Sequence, residues 1–318
     1  MAKLGRMQFV GWVTETTPGD NPSVTNSEYH LAEDVSVAWE ADEYERTGNL
    51  GSLDKMAGVT GAIIGTMSFT TELKGQGADE APDDLPLWKA SGFATAQSAY
   101  PYTIAQDSTP TDTVTLVYYA DGLQWILTGC QGTFTIDLEA GSYGKINWTF
   151  TGLMRRVPQD GTNPVPDNYS TVSPPVLQST TLTIGGETDF GTCRNISFDM
   201  GNEVTRRRSM TGSDAKAFGY EVPQITRRLG SGSLTVEMPT VAAYDWLTKW
   251  KDKTKIDGSL TVGTAGTHNK IIFDWDMVVN GAPTPTDTDG LLMYEISFDL
   301  ITDDLSGDDS FSIQHTNS

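Results

Sequence analysis

Apolar and polar side chains alternate with a period of two in eight segments of this chain, which predicts β-strands with one buried face each. The first four segments are Val35–Trp39, Thr66–Leu73, Thr133–Glu139 and Lys145–Thr151. The last four are Ile196–Met200, Gly232–Met238, Ile272–Val278 and Met293–Leu300. Pointing inward from the first set are Val35, Val37, Trp39, Met67, Phe69, Leu73, Phe134, Ile136, Leu138, Ile146, Trp148 and Phe150. The second set adds Ile196, Phe198, Met200, Leu234, Val236, Met238, Phe273, Trp275, Met277, Tyr294, Ile296, Phe298 and Leu300. The opposite face carries Ser36, Glu40, Ser68, Thr70, Glu72, Asp137, Glu139, Asn147 and Thr149. It continues with Asp199, Glu237, Asp274, Asp276, Glu295 and Asp299, and is read as free of Lys and Arg. Sheets patterned this way pack one face on a core and turn the other to water.

The two sets of strands read as an internal repeat. In each, a loop separates the first two strands: Gly51–Gly58 in the first half, Ser209–Gly219 in the second. Each second strand is followed by a helical segment. Asp83–Gly92 has capping carboxylates and a closing Gly; Pro239–Lys251 places Val241, Tyr244, Leu247 and Trp250 on one face. Between the halves, residues 157–173 are rich in Pro, Asp, Asn and Gly and lack either period, so they read as a linker. The predicted organisation is a first domain over 1–156 with an N-terminal arm, a linker over 157–175, and a second domain over 176–318 with a C-terminal tail.

Charge narrows the function. The chain of 318 residues has a net charge of −21, and such a surface repels phosphate and anionic membranes. Its aromatic content supports two modest cores. Cys130 and Cys193 lie on different halves without metal-ligand spacing and read as buried free thiols. The N-terminal apolar stretch is too short for a signal peptide, and no run reaches membrane-spanning length, so a soluble protein made in a cytoplasm is expected.

Catalytic signatures are missing. His30, His268 and His315 are scattered and read as surface residues. No nucleophile elbow, phosphate-cradling loop or zinc-protease helix is found. Carboxylate pairs such as Asp137/Glu139 point the same way from a strand into solvent and need no acid–base role. Thr286–Gly290 superficially resembles a calcium loop, but Pro285 and Ile296 would fall on ligand positions that neither side chain can fill. The same residues suit a hairpin turn with Asp-Gly at its tip. Tyr244, Trp246 and Trp250 could form a sugar platform, yet their spacing suits a helix packed on a sheet. Arg206, Arg207, Arg208, Arg227 and Arg228 stand out in so acidic a chain. They read either as an interface to acidic surface on another copy or as solvated strand ends.

The segments Gly122–Gly141 and Ile146–Gly152, with the strand Gly65–Gly75 and the helix around Leu85–Trp88, resemble the tail tube proteins of long, non-contractile (siphophage-type) phages. The likeness is good over roughly 30–156; over 176–305 it rests on the repeat. What the resemblance implies is an all-β fold with flanking short helices, as two tandem tail-tube β-sandwich domains. Their inner sheets would join into a β-barrel on oligomerisation, which removes exposed strand edges. It further implies stacked rings forming a hollow tube, with no enzyme activity and no cofactor. Partners would be the chain itself, a tape-measure protein, tail terminator and tail-tip proteins, and double-stranded DNA in passage, but no membrane. Thr47–Gly61 and Ser209–Gln224 would reach the neighbouring ring, with Asn49, Leu50, Leu53, Met56, Met210 and Phe218 as contact residues. The polar-face residues named above would line the lumen. Three double-domain chains per ring fit a DNA-sized channel better than six. The product would be a virion component made in the host bacterial cytoplasm. The competing class is a monomeric sandwich that binds a surface or carbohydrate.

Overall fold

The computed structural model describes residues 8–48, 54–97, 100–161, 164–166, 170–178, 180–210 and 219–317. The strands of the first half are β1 (Gln8–Thr14), β2 (Tyr29–His30), β3 (Glu33–Tyr44), β4 (Val59–Glu72), β5 (Phe93–Gln97), β6 (Tyr102–Gln106), β7 (Val114–Ala120), β8 (Leu123–Glu139) and β9 (Lys145–Asp160). Those of the second are β10 (Thr181–Ile184), β11 (Cys193–Asp199), β12 (Asn202–Arg208), β13 (Tyr220–Arg228), β14 (Ser231–Glu237), β15 (Ile256–Val262), β16 (Lys270–Val279), β17 (Thr284–Thr288), β18 (Leu291–Leu300) and β19 (Phe311–Thr316). Among the described residues two short α-helices accompany them, α1 (Leu85–Ala90) and α2 (Trp246–Lys251). The fold is all-β, as the alternation predicts.

Four strands of the first half pair antiparallel in the order β3-β4-β9-β8. In the second half the order is β11-β14-β18-β17. Both sets therefore run first, second, fourth, third. They meet where β8 pairs with β11, with Ile136 opposite Phe198 and Leu138 opposite Ile196. One eight-stranded sheet results, bounded by β3 and β17.

One predicted strand is misplaced. Ile272–Val278, expected in this sheet, belongs to β16; most of it lies in the opposing layer, flanked by β15 and β19, and only its end, Met277–Val279, pairs with Phe298–Leu300 of β18. Its expected position is taken by β17, whose sequence Thr-Pro-Thr-Asp-Thr is exposed almost throughout. No apolar alternation marks that strand; backbone pairing to β18 holds it. Asp289 and Gly290 make the connecting turn with φ of 54° and 83°, the positive pair that a two-residue hairpin requires.

β8 serves both layers of the first half. Its early residues pair with β7 and its last residues with β11. Between these stretches the register against β9 slips, and Gly129 adopts φ 63°. Such bulges bend a strand and increase its twist. In the second half the passage between layers is divided between β16 and β17. The second layer of the first half is β2-β1-β7-β8; that of the second half is β10-β15-β16-β19. The first half extends this latter layer with its hairpin β5-β6, through pairing of β6 with β19. β9 runs to Asp160, inside the segment predicted to be a linker.

Burial follows from this interlocking: the side chains of both halves form one continuous cluster where two cores were expected. Trp88 of α1 stands edge-on to Phe134 at 4.6 Å and to Trp148 at 5.2 Å. Such pairs contribute about 0.5–1.5 kcal/mol beyond their area. Phe198 packs on Trp275 at 5.0 Å and on Phe311 at 5.2 Å, and Phe311 reaches Phe93 of the first half at 6.2 Å.

Several side chains predicted to be buried are not. Trp39 is 51% exposed because β3 has no strand neighbour on its outer side among the described residues, and Met238 is 40% exposed just beyond β14. Asp245 caps α2 by accepting from the Thr248 amide, so the helix starts at Trp246 and the periodicity read from residue 241 does not apply. Tyr244 and Trp246 are buried; Val241 and Leu247 are exposed.

Candidate functional site

The polar face of the eight-stranded sheet is organised in rows that cross both halves. One row runs Glu72, Lys145, Asp137, Ser197, Ser233, Ser297, each opposite the next. A second runs Thr70, Asn147, Thr135, Asp199, Ser231, Asp299, and a third runs Glu139, Asn195, Thr235, Glu295. Hydrogen bonds along, between and beside these rows tie the face together. Thr70 Oγ1 donates to Asn147 Oδ1 at 2.8 Å, and Asn147 Nδ2 donates to Asp137 Oδ2 at 2.9 Å. The Ser197 and Ser233 hydroxyls are 2.9 Å apart, and Asn280 Nδ2 donates to Asp299 Oδ1 at 2.8 Å. Ser68 and Thr149 stand opposite each other on the same face, and Glu237 opposite Met293.

The structure thus brings together Ser68, Thr70, Glu72, Asp137, Glu139, Asn147, Thr149, Asp199, Glu237, Glu295 and Asp299. Asp274 and Asp276 do not join them. They lie on β16, whose Phe273 and Trp275 pack against Phe198, so their carboxylates leave the far side of the sandwich. Asp276 is held there by Lys255 at 3.2 Å. Nor is the face free of cations, because Lys145 sits in the first row and bonds Glu33 at 2.7 Å. Period two from Ile146 places that ammonium on the polar side, a signal already present in the sequence. Carboxylates still outnumber cations in these rows by six to one.

Glu40 has a different surrounding. The hairpin β12-β13 folds back across the end of the first-half sheet, anchored by Asn202 Nδ2 on Gly132 O at 3.0 Å and by the Ile225 amide on Gln131 Oε1 at 2.8 Å. Tyr220 and Val222 bury against Ile64 and Leu153. Arg206 then reaches Glu40 and holds its carboxyl below the usual range, while Arg208 reaches Asp42 at 2.9 Å. Arg228 is half-buried and donates to Gly92 O at 2.6 Å, with Asp308 3.8 Å away. The basic groups expected at strand ends therefore lie within a hairpin, and Arg206, Arg208 and Arg228 take partners from their own chain. Arg207 and Arg227 stand opposite Glu221 and Glu203 in the hairpin register.

Of the loop residues predicted to contact a neighbouring ring, Asn49, Leu50, Leu53 and Phe218 lie outside the described residues. Met56 is half-buried and Met210 fully exposed.

The histidines depart from their predicted surface setting. His315 is buried in β19, and neither ring nitrogen has a hydrogen-bond partner among the described residues. Burial holds it down at about 4. His30 stacks on Trp12 at 4.1 Å beside a cavity of about 40 Å³ that Asp84 also lines, and desolvation raises the Asp84 carboxyl to about 7. A space of that size suits a water or two and no organic substrate. His268 bonds Asn317 at 2.8 Å and approaches Asp79 at 3.3 Å. Cys130 and Cys193 are free thiols, the first buried and the second partly so.

Among the described residues, no helix is long and apolar enough to cross a membrane. A search among the curated proteins finds no match. Residues 5–300 match the family described as phage tail tube protein, and the chain, covered over nearly its whole length, belongs to that family.

Proposed function

We propose that this chain is a duplicated, siphophage-type tail tube subunit. Three copies close into a ring, and stacked rings form a conduit whose acidic wall lets DNA pass during ejection. Family membership carries the coarser part, a structural, self-assembling virion component and not an enzyme. The single observation that carries the finer part is the β8·β11 pairing, which joins the two halves into one eight-stranded sheet with a continuous polar face on which carboxylates outnumber cations.

Size supports three copies. Three chains of eight strands place about twenty-four strands in the wall; at ~4.8 Å spacing and ~40–45° tilt the backbone barrel is on the order of 50 Å across. A duplex fits inside once side chains are added. Six chains would roughly double the width. Carboxylates on the wall repel phosphate over about 8–10 Å at moderate salt, so DNA slides without adhering. The same lumen would hold a tape-measure protein before DNA, with terminator and tip proteins at the two ends. The segments between β3 and β4 and between β12 and β13 would bridge successive rings; residues 59–61 and 220–224 of the predicted loops belong to strands β4 and β13.

Electron microscopy of the purified chain at rising concentration tests the reading. Hollow tubes of uniform width are expected. A protein that stays monomeric and binds a glycan saturably would contradict it.

A further inference from the structure

The eight-stranded sheet ends in two edges that each have one strand neighbour among the described residues: β3 pairs with β4, and β17 with β18. We infer that β17 of one copy pairs with β3 of the next, in the register that β8 and β11 display within a single chain. The inference rests on the tube reading above and specifies its ring joint.

Cross-strand partners align the two sets. Val37 faces Met67, which faces Phe150; Phe198 faces Gly232, which faces Phe298. Ser36 opposite Ser68 likewise matches Ser197 opposite Ser233. On the other flank, Trp148 faces Phe69 as Ile296 faces Leu234. Two residues earlier on those strands, Ile146 faces Ile136 and Tyr294 faces Pro285. Within the chain Ile136 faces Phe198 and Asp137 faces Ser197. Transferred to the free edges, this sets Val37 against Pro285, Ser36 against Thr286, and Val35 against Asp287 of the neighbouring copy.

Burial points the same way. Ile196, Phe198 and Met200 are 3%, 1% and 0% exposed beneath their join to β8. Their counterparts on β3 are half-buried at Val35 and Val37 and 51% exposed at Trp39. At the other edge, Leu292, on the core side beside Asp287, is 52% exposed. Apolar surface is thus left open at both ends of the sheet, on the side that the internal join covers.

Proline has a part in this joint. Thr288 and Leu291 flank the two-residue turn as a hydrogen-bonded pair, so Pro285 and Asp287 aim their backbone groups at the free edge. Pro285 has no N–H to offer, so the joint forms with one donor fewer, and a lone edge is a poor template for indiscriminate pairing.

Paired cysteines test the register. Ser36 and Thr286 form a non-hydrogen-bonded pair in it, with Cα atoms about 4.5 Å apart, within disulfide reach. The double variant S36C/T286C, assembled and then oxidised, is expected to give covalent dimers and trimers on a non-reducing gel. The slipped pairs S36C/T284C and S36C/T288C should give at least tenfold less. Assembled tubes in which S36C/T286C stays unlinked, or a slipped pair links better, would overturn the register and leave the tube reading standing. A chain that never assembles overturns both. Hydrogen exchange on the unmodified chain gives a second readout: Val35, Val37 and Asp287 amides should slow on assembly, and unchanged exchange there in tubes also overturns the joint.

Discussion

Ile136 of the first half and Phe198 of the second are cross-strand neighbours, and both are buried, at 0% and 1% exposure. Phe198 also touches β16, β18 and β19 through Trp275, Phe298 and Phe311. A single side chain therefore sits where the two halves and the two layers meet.

Truncating it should be felt by the whole chain. Phe198→Ala is expected to cost about 3–5 kcal/mol, the usual range for emptying an aromatic site in a packed core. Both halves should unfold in one transition, because their buried side chains form one cluster. Urea unfolding followed by tryptophan fluorescence and far-UV circular dichroism checks this. Two separated transitions in the unmodified chain would contradict the shared core.

A buried carboxylate supplies a second test. Glu15 is 6% exposed; Oε1 accepts from the Thr115 hydroxyl at 2.6 Å and the Gly129 amide at 2.7 Å. Oε2 accepts from the Thr113 hydroxyl at 2.6 Å and the Gly19 amide at 2.7 Å. Glu15→Gln replaces one acceptor oxygen with a donor, and the stranded partners should cost about 3 kcal/mol. The readout is the urea midpoint, expected to fall with an unchanged slope.

The burial of His315 sets the sign of a pH dependence. Its folded value near 4 lies below the ordinary 6.5, so the unfolded chain takes up the proton more readily. The stability tied to a neutral imidazole is complete above about pH 6.5 and is lost as pH falls toward 4. The full effect is about 3 kcal/mol at 1.36 kcal/mol per unit. His315→Leu should show a shallower loss between pH 7 and 4.5 than the unmodified chain. Equal slopes in the two proteins would sink the assignment.

These tests fall mostly on features that pattern reading reaches poorly, and the physical reasons differ. Strands β4, β9, β18 and the last part of β8 alternate because one face is buried there, whereas β8 is buried on both faces from Ile126 to Gly132. β17 is invisible to that signal, since an edge strand held by backbone pairing needs no apolar side chain. β16 alternates as well as any inner strand, so period two identified it as a strand yet could not say which layer holds it. Trp39 was expected inside because alternation cannot tell a central strand from an edge. His315 and Glu15 are buried through pairings between distant segments that no local window contains. The polar face itself was largely legible, but the reading of it as free of cations missed Lys145, which period two from Ile146 places there.

The charge of that face should matter more than any one of its carboxylates. Glu139, Glu237 and Glu295 are exposed on it. Reversing all three to Lys changes local charge by two at each site and leaves the core untouched, so folding and assembly should survive with small stability changes. A cationic wall would exchange counterions with phosphate and retain DNA, less so as salt rises. Particles carrying the triple variant should eject DNA slowly at low salt and recover at high salt. Unchanged ejection at low salt would remove charge from the account of the conduit.

Helical reconstruction of tubes assembled from the purified chain tests the central claim most directly. The account predicts rings of three chains, with the eight-stranded sheets of all copies joined into one wall of about twenty-four strands. Glu139, Asp199, Glu237 and Glu295 should face the lumen. Rings of six chains, or tubes whose carboxylate face points outward, would contradict it.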